Sequence, residues 1–148
     1  MDVGQQVEQI NAFLTAVYRR PQRLSDILIR HGADAAVLAA VRQQGIVVVV
    51  EQVCARWQTW LATVLEPRKA LILVRRYGLD GAPPASFVAL GAVLGVSGER
   101  VRQLEQRARG RLRPYPQKRA LEAIVVEVVQ ALVPWGQATD PEGGEADG

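Results

Sequence analysis

Between residues 97 and 113 the chain carries guanidinium, amide and carboxylate groups at helical spacing. Ser97 is placed to cap a helix ended by Pro114, and the apolar side chains of that helix form one stripe, Val101, Leu104, Ala108 and Leu112. The opposite side carries a strip of hydrogen-bonding groups, Glu99, Gln103 and Gln106, together with Gly110. Arginines flank this strip in two rows, Arg100, Arg107 and Arg111 on one side and Arg102, Arg109 and Arg113 on the other.

These residue types match the base edges and the phosphates of a DNA duplex. Gln bonds an adenine edge at two points, Glu accepts from the cytosine amino group, and Arg forks onto guanine or a phosphate. The pattern therefore predicts a helix that enters a major groove, with the strip facing base edges and the two arginine rows facing phosphates. An ordinary arginine-rich surface helix is the alternative. The predicted DNA-binding residues are Ser97, Glu99, Arg100, Arg102, Gln103, Gln106, Arg107, Arg109, Arg111 and Arg113.

The net charge of +3 conceals an uneven distribution along the chain. Residues 1–65 sum to +1, residues 66–120 to +8 with twelve basic and four acidic side chains, and residues 121–148 to −6. A basic central block favours a polyanionic partner, because each neutralised phosphate releases counterions. A solvated charged face would show the same charge balance, so the block supports DNA binding only together with the helix pattern.

Helical patterns and helix-ending residues surround this basic helix. Apolar residues at spacings of three and four predict a first helix from Val3 to Arg20. Further helices are predicted over residues 24–31, 34–44, 46–65, 68–77, 86–94 and 117–132, each bounded by a glycine, a proline or a capping side chain. Ile46 to Val50 could also form a strand, but we expect it to be the buried start of a helix, and we expect Val93 to point inward.

The expected fold is all-α, with a helix-turn-helix module of the winged-helix-like type. We expect an N-terminal helical unit of unassigned role over residues 1–59 and the helix-turn-helix domain over residues 60–119. A C-terminal helix should follow over residues 120–134, and an acidic disordered tail over residues 135–148.

Composition argues against several other classes of protein. A single cysteine, Cys54, and a single histidine, His31, predict neither an internal disulfide nor a zinc site. We find no nucleophile, base or metal constellation, and so expect no enzyme, no cofactor and no small-molecule substrate. No apolar run approaches the ~20 residues of a membrane span, and the N-terminus lacks a secretory pattern. We therefore expect no membrane partner and a cytoplasmic, nucleoid-associated protein.

Several short motifs occur in order between Trp60 and Arg119. They are Leu65-Glu66-Pro67-Arg68, Val74-Arg75-Arg76-Tyr77-Gly78-Leu79, Ser86-Phe87 and the run from Leu94 to Glu105. With these motifs the stretch resembles region 4 of the sigma-70 family of RNA polymerase sigma factors, which recognises the promoter −35 element. The resemblance implies promoter-like double-stranded DNA and a bacterial-type RNA polymerase as partners. It also implies that Glu99, Arg100, Arg102 and Gln103 read DNA, and that Arg75 and Arg76 lie near the DNA backbone or the polymerase β flap.

The stretch departs from the family pattern at two positions, and the chain lacks companion regions. Gly98 stands where the family usually has arginine or a similar polar residue, and Lys69 where it commonly has glutamate. No segment resembles the regions that melt the −10 element and hold the polymerase clamp. We therefore expect a DNA-binding transcription regulator that works without the rest of a sigma factor. The alternative is an interaction protein that binds the β flap or a sigma factor without reading DNA sequence.

Overall fold

The computed structural model describes residues 1–136, which form seven α-helices and no strand. The helices are α1 (Val3–Tyr18), α2 (Leu24–Arg30), α3 (Ala35–Val64), α4 (Pro67–Arg76), α5 (Phe87–Leu94), α6 (Gly98–Arg111) and α7 (Tyr115–Leu132). The all-α prediction is confirmed. Of the predicted acidic disordered tail, residues 137–148 lie outside the described residues. Trp135, at its start, packs against the core and its Nε1 donates to the His31 carbonyl at 3.2 Å.

Side-chain caps fix the beginnings of several helices, as the sequence predicted. Asp34 Oδ1 accepts the Val37 amide at 3.0 Å at the start of α3. Ser86 Oγ accepts the Ala89 amide at 3.0 Å at the start of α5. Each of these bonds satisfies a donor that the first helical turn would otherwise leave unpaired.

The long helix α3 is two helical segments joined at Gly45. Gly45 has a φ of 134°, a conformation that favours glycine, and it interrupts the helix where the sequence predicted an end. The segment that follows is helical from its first residues rather than a strand. The predicted burial of its start is only half correct, because Val49 and Val50 are buried whereas Val47 and Val48 are 45% and 42% exposed.

Helix α3 is long and apolar enough to cross a membrane by length and composition, and 28% of an apolar 18-residue window in it is buried inside the protein. The sequence analysis did not anticipate this, because Arg42, Gln44 and Glu51 divide the apolar runs. The break at Gly45 and the complete burial of Trp57 near the end of α3 fit a helix that packs in a protein core. The segment of α3 that follows Gly45 therefore packs in the core.

Trp57 lies at the centre of the main core. Its ring is fully buried and lies 5.4 Å from that of Phe13 in α1, while its Nε1 donates to the Leu121 carbonyl in α7 at 3.1 Å. Ala108 and Leu112, near the end of α6, belong to the same core. The three predicted units therefore pack around shared apolar residues, and their boundaries stay predictions.

A smaller core holds the helix-turn-helix together. It consists of Ile72 from α4, Leu90 from α5, and Val101 and Leu104 from α6. Leu90 is buried, but the expectation that Val93 points inward was wrong, because this side chain is 61% exposed. Helix α5 is only eight residues long and buries a narrow face.

A polar cluster on Glu122 connects α7 to α1 and α2. The Glu122 carboxylate accepts from Arg30 at 2.6 Å, from His31 Nε2 at 2.8 Å and from the Tyr18 hydroxyl, and its side chain is 12% exposed. Burial alone would raise the pKa of Glu122, but the hydrogen bonds from Arg30, Tyr18 and His31 outweigh burial and lower it.

We expect Glu122→Gln to reduce the free energy of unfolding by about 1–3 kcal/mol at neutral pH, because charged hydrogen bonds are lost. A carboxyl with a lowered folded-state pKa stabilises the fold above its ordinary pKa and loses that effect as the pH falls through the folded value. The difference between wild type and variant should therefore shrink as the pH falls below 4.5. Urea unfolding across pH measures it, and Glu127→Gln, on an exposed carboxylate of the same helix, is the control. A difference independent of pH would contradict the expectation.

Candidate nucleic-acid interface

The turn between α5 and α6 sets the orientation of the basic helix. Gly95 ends α5 in the left-handed conformation, with a φ of 73°, which glycine adopts without steric cost. Two residues later Ser97 Oγ accepts the Arg100 amide at 3.0 Å and starts α6. The predicted helix-turn-helix is therefore present, with the predicted cap at its second helix.

The first turn of α6 lies close to α5 at Gly98. A Cβ atom on Gly98 would lie 3.3 Å from both the backbone nitrogen and Cγ2 of Val88, a distance that few side chains tolerate. The missing side chain at this position, noted above as a departure from the family pattern, is thus matched by close packing between the two helices.

The strip predicted to face bases lies on the outside of α6. Glu99, Gln103 and Gln106 are exposed. Glu99 accepts from Arg102 Nε at 3.0 Å, and Gln103 accepts from Arg100 at 3.4 Å. The hydrogen bond from Arg102 lowers the pKa of Glu99. Exposed pairs three residues apart contribute little to stability, so these side chains can exchange one partner for another at small cost.

One of the two arginine rows is free along most of its length. Arg107 and Arg111 are exposed, and neither pairs with a carboxylate within residues 1–136. Arg100, partly exposed, continues this row towards the start of the helix. The row is therefore available to an anion that approaches α6 from this side.

Arg109, in the second row, is engaged inside the protein. Its Nε lies 2.8 Å from Oε2 of Glu105, a carboxylate whose side chain is 3% exposed. The same carboxylate accepts from the hydroxyl of Tyr77, the residue after α4, at 2.7 Å, and burial together with this bond raises the pKa of Tyr77. This placement argues against the predicted phosphate contact for Arg109, because its charge is already matched by Glu105.

Arg113 joins α6 to the end of α1. Its Nε donates to the Val17 carbonyl at 3.0 Å and its Nη2 to the Ala16 carbonyl at 3.1 Å. Burial lowers the pKa of Arg113, and the nearby charges of Arg19 and Arg109 lower it further. This position also argues against a predicted phosphate contact, since two donors of Arg113 satisfy carbonyls at the end of α1.

An open cleft of about 860 Å³ separates the end of α1 from the exposed face of α6. Arg19 and Arg20 line it on the α1 side, while Gln103, Gln106 and Arg107 line it on the α6 side. Sequence reasoning missed Arg19 and Arg20, because the contact that brings them here spans almost a hundred residues and no local pattern signals it.

Other reactive groups are buried or are held in structural contacts. Cys54 is buried, which raises the pKa of its thiol to about 11, with a further contribution from Asp80. His31 is bonded to Glu122, and among the described residues no group of three or more His, Cys, Asp or Glu side chains could hold a metal ion.

Arg76 lies over the Phe87 ring at 4.1 Å and donates to the Ala85 carbonyl, so it supports the helix-turn-helix from within.

Comparisons with known proteins agree with this geometry. The family model for sigma-70, region 4 matches residues 61–114, which run from the end of α3 through α6. The chain is 41% identical over 63 residues to the chloroplastic RNA polymerase sigma factor sigF of Arabidopsis thaliana. That stretch is 43% of this chain but only 12% of the relative, and no solved structure matches the chain significantly. Residues 61–114 therefore form a sigma-70 region 4 domain, a helix-turn-helix domain of the transcription machinery.

Proposed function

We propose that this chain is a DNA-binding transcription regulator that inserts α6 into the major groove of promoter-like DNA. The observation that carries the proposal is the exposed strip of Glu99, Gln103 and Gln106 on the second helix of a sigma-70 region 4 domain. In such a helix the N-terminal residues reach base edges, while the flanking side chains meet phosphates.

The proposed contacts follow the exposure of the side chains. Glu99, Arg102 and Gln103 would read bases, since they lie in the first two turns and bond only to neighbours on the same helix face. One phosphate backbone would be contacted by Arg100, Arg107 and Arg111. The remaining proposed DNA-contacting residues are Ser97 and Gln106. Arg109 and Arg113 would support the interface without touching DNA.

We further propose that the chain acts with RNA polymerase in transcription initiation. The support is the name of the relative, an RNA polymerase sigma factor, and the two large apolar side chains that α5 exposes, Val88 at 76% and Val93. Because that relative is chloroplastic, the proposed location is the DNA-containing compartment of the host, which in a bacterium is the nucleoid.

The test uses a duplex that the full chain selects from a random-sequence pool, compared with a scrambled duplex of the same composition. We expect the selected duplex to bind more than about tenfold tighter, since one good base contact contributes ~1–3 kcal/mol of discrimination. Gln103→Ala should remove most of this margin without changing the melting temperature. Gln52→Ala, an exposed glutamine on α3, is the matched control.

Binding that weakens with salt but ignores sequence would overturn the regulator proposal. It would favour the alternative, an interaction protein that uses the same domain on the polymerase β flap or on a sigma factor.

A further inference from the structure

We infer that the end of α1 supplies the second phosphate-binding wall of the DNA interface, through Arg19 and Arg20. This inference rests on the proposed function, because it assumes that DNA lies against the exposed face of α6. It assigns a role to the first helical unit, which lies outside the sigma-70 region 4 domain.

The first observation is the distribution of free positive charge around the cleft. One arginine row of α6 is available on the Arg107 side, but in the other row Arg109 is paired with Glu105 and Arg113 is bonded to the end of α1. Arg19 and Arg20 lie across the cleft, are exposed, and have no carboxylate partner within residues 1–136. They therefore place positive charge opposite Arg107, on the side of the cleft where Arg109 and Arg113 are already engaged with other groups.

The second observation is the rigid attachment of this wall to α6. The two hydrogen bonds from Arg113 to the Ala16 and Val17 carbonyls hold the end of α1 immediately before Arg19. Arg19 and Arg20 thus keep a fixed position relative to the base-reading strip. A phosphate contact made from a preorganised wall loses less conformational entropy than one made by a free arm.

The third observation is the backbone of Arg19. Its φ of 61° makes it the one residue other than glycine within residues 1–136 that adopts the left-handed conformation. Glycine would adopt this helix-ending conformation without the steric cost that a Cβ atom imposes. An arginine at a position where glycine suits the backbone is explained if its side chain contributes to binding.

The ligand is the phosphate backbone of duplex DNA. Within residues 1–136 no acidic side chain lines the cleft, whose charged lining residues are all arginines, Arg19, Arg20, Arg107, Arg109 and Arg113. Burial and the charges of Arg19 and Arg109 lower the pKa of Arg113, which agrees with a concentration of positive charge on this side of the cleft. Because it would touch no base, this wall should strengthen binding to every sequence equally.

The experiment measures the affinity of the full chain for the selected and the scrambled duplex over a range of salt concentrations. For the double variant Arg19→Gly/Arg20→Ala we expect both affinities to fall by the same factor. The slope of log K against log salt should become shallower by about 2, since each lost phosphate contact removes ~0.9. The melting temperature should equal or exceed that of the wild type, because the glycine introduced by Arg19→Gly adopts the left-handed backbone without strain.

The matched control is Arg42→Ala/Arg56→Ala, which removes the same charge from other surfaces. Arg42 borders a groove at the opposite end of α1, and Arg56 lies beside α7. If the Arg19/Arg20 variant and this control share one salt slope, the inference fails. Tighter binding by the Arg19/Arg20 variant would also overturn it, since the end of α1 would then obstruct the DNA.

These failures are distinguishable from failure of the proposed function. If the wild type discriminates between duplexes and Gln103→Ala does not, while the Arg19/Arg20 variant keeps the wild-type slope, only the second wall is wrong. If the wild type binds no duplex, the proposed function and the second wall fall together.

Discussion

Gly91→Ala should destabilise the helix-turn-helix more than any surface substitution in the domain, so that it unfolds at a lower denaturant concentration. A Cβ atom on Gly91 would lie 2.5 Å from the Val96 carbonyl oxygen and 3.1 Å from the Ser97 carbonyl carbon. Both atoms belong to the turn that leads into α6, and neither is the end of a flexible side chain. We expect the free energy of unfolding to fall by about 1–3 kcal/mol or more, because an overpacked site must displace backbone.

The displacement would reach DNA binding through the same turn. The Gly91 carbonyl accepts the Val96 amide at 3.0 Å, so moving α5 away from the turn also shifts the start of α6. We therefore expect Gly91→Ala to lose sequence discrimination along with stability, as measured by urea unfolding and by binding to the selected duplex.

Gly110→Ala is the matched control for the added methyl group. Its Cβ would meet only the Arg113 guanidinium, at 3.9 Å, within an otherwise regular helix. An alanine there should stabilise the protein by about 0.5–1 kcal/mol, since glycine loses more backbone entropy on folding. Equal stabilities for the Gly91 and Gly110 variants would show that the turn does not depend on close contact at Gly91.

The elements of this fold could be predicted from sequence because their signals are local. Asp34, Ser86 and Ser97 cap the helices that they were predicted to cap, and Gly45 and Gly95 interrupt or end helices at the expected positions. The outward strip of α6 follows from helical periodicity alone, so it too was predictable. Neither a capping residue nor an apolar stripe indicates which other helix packs against the one that carries it.

The roles of individual arginines depended on that missing information. By periodicity Arg109 and Arg113 are equivalent to Arg102, and all three were expected to face phosphates. The partner of Arg109 is Glu105, on the preceding turn of α6, and the partners of Arg113 are carbonyls at the end of α1. A hydrogen bond between Arg113 and Val17 closes a loop of almost a hundred residues, which neither composition nor periodicity can anticipate.

Glu105→Ala should be the most destabilising polar substitution on α6. The variant removes the buried carboxylate that forms an ion pair with the Arg109 guanidinium at 2.8 Å and accepts from the Tyr77 hydroxyl at 2.7 Å. Removing one partner of a fully buried ion pair costs about 3–5 kcal/mol, and because Arg109 is 22% exposed we expect a loss near the lower end of that range. Urea unfolding followed by circular dichroism measures the loss, with Glu99→Ala as the exposed glutamate control that should leave the melting temperature unchanged.

A double-mutant cycle with Arg109→Ala separates the ion pair from simple loss of packing. If the unpaired guanidinium causes the loss, the double variant should lose less free energy of unfolding than the two single variants lose in sum. The difference should exceed about 0.5 kcal/mol. Additive effects would instead assign the loss to the emptied space beside Tyr77. Because Glu105 lies on the buried side of α6, the coupling should be independent of DNA. Weaker duplex binding by Glu105→Ala should then scale with the unfolded fraction and leave the salt slope of the folded protein unchanged.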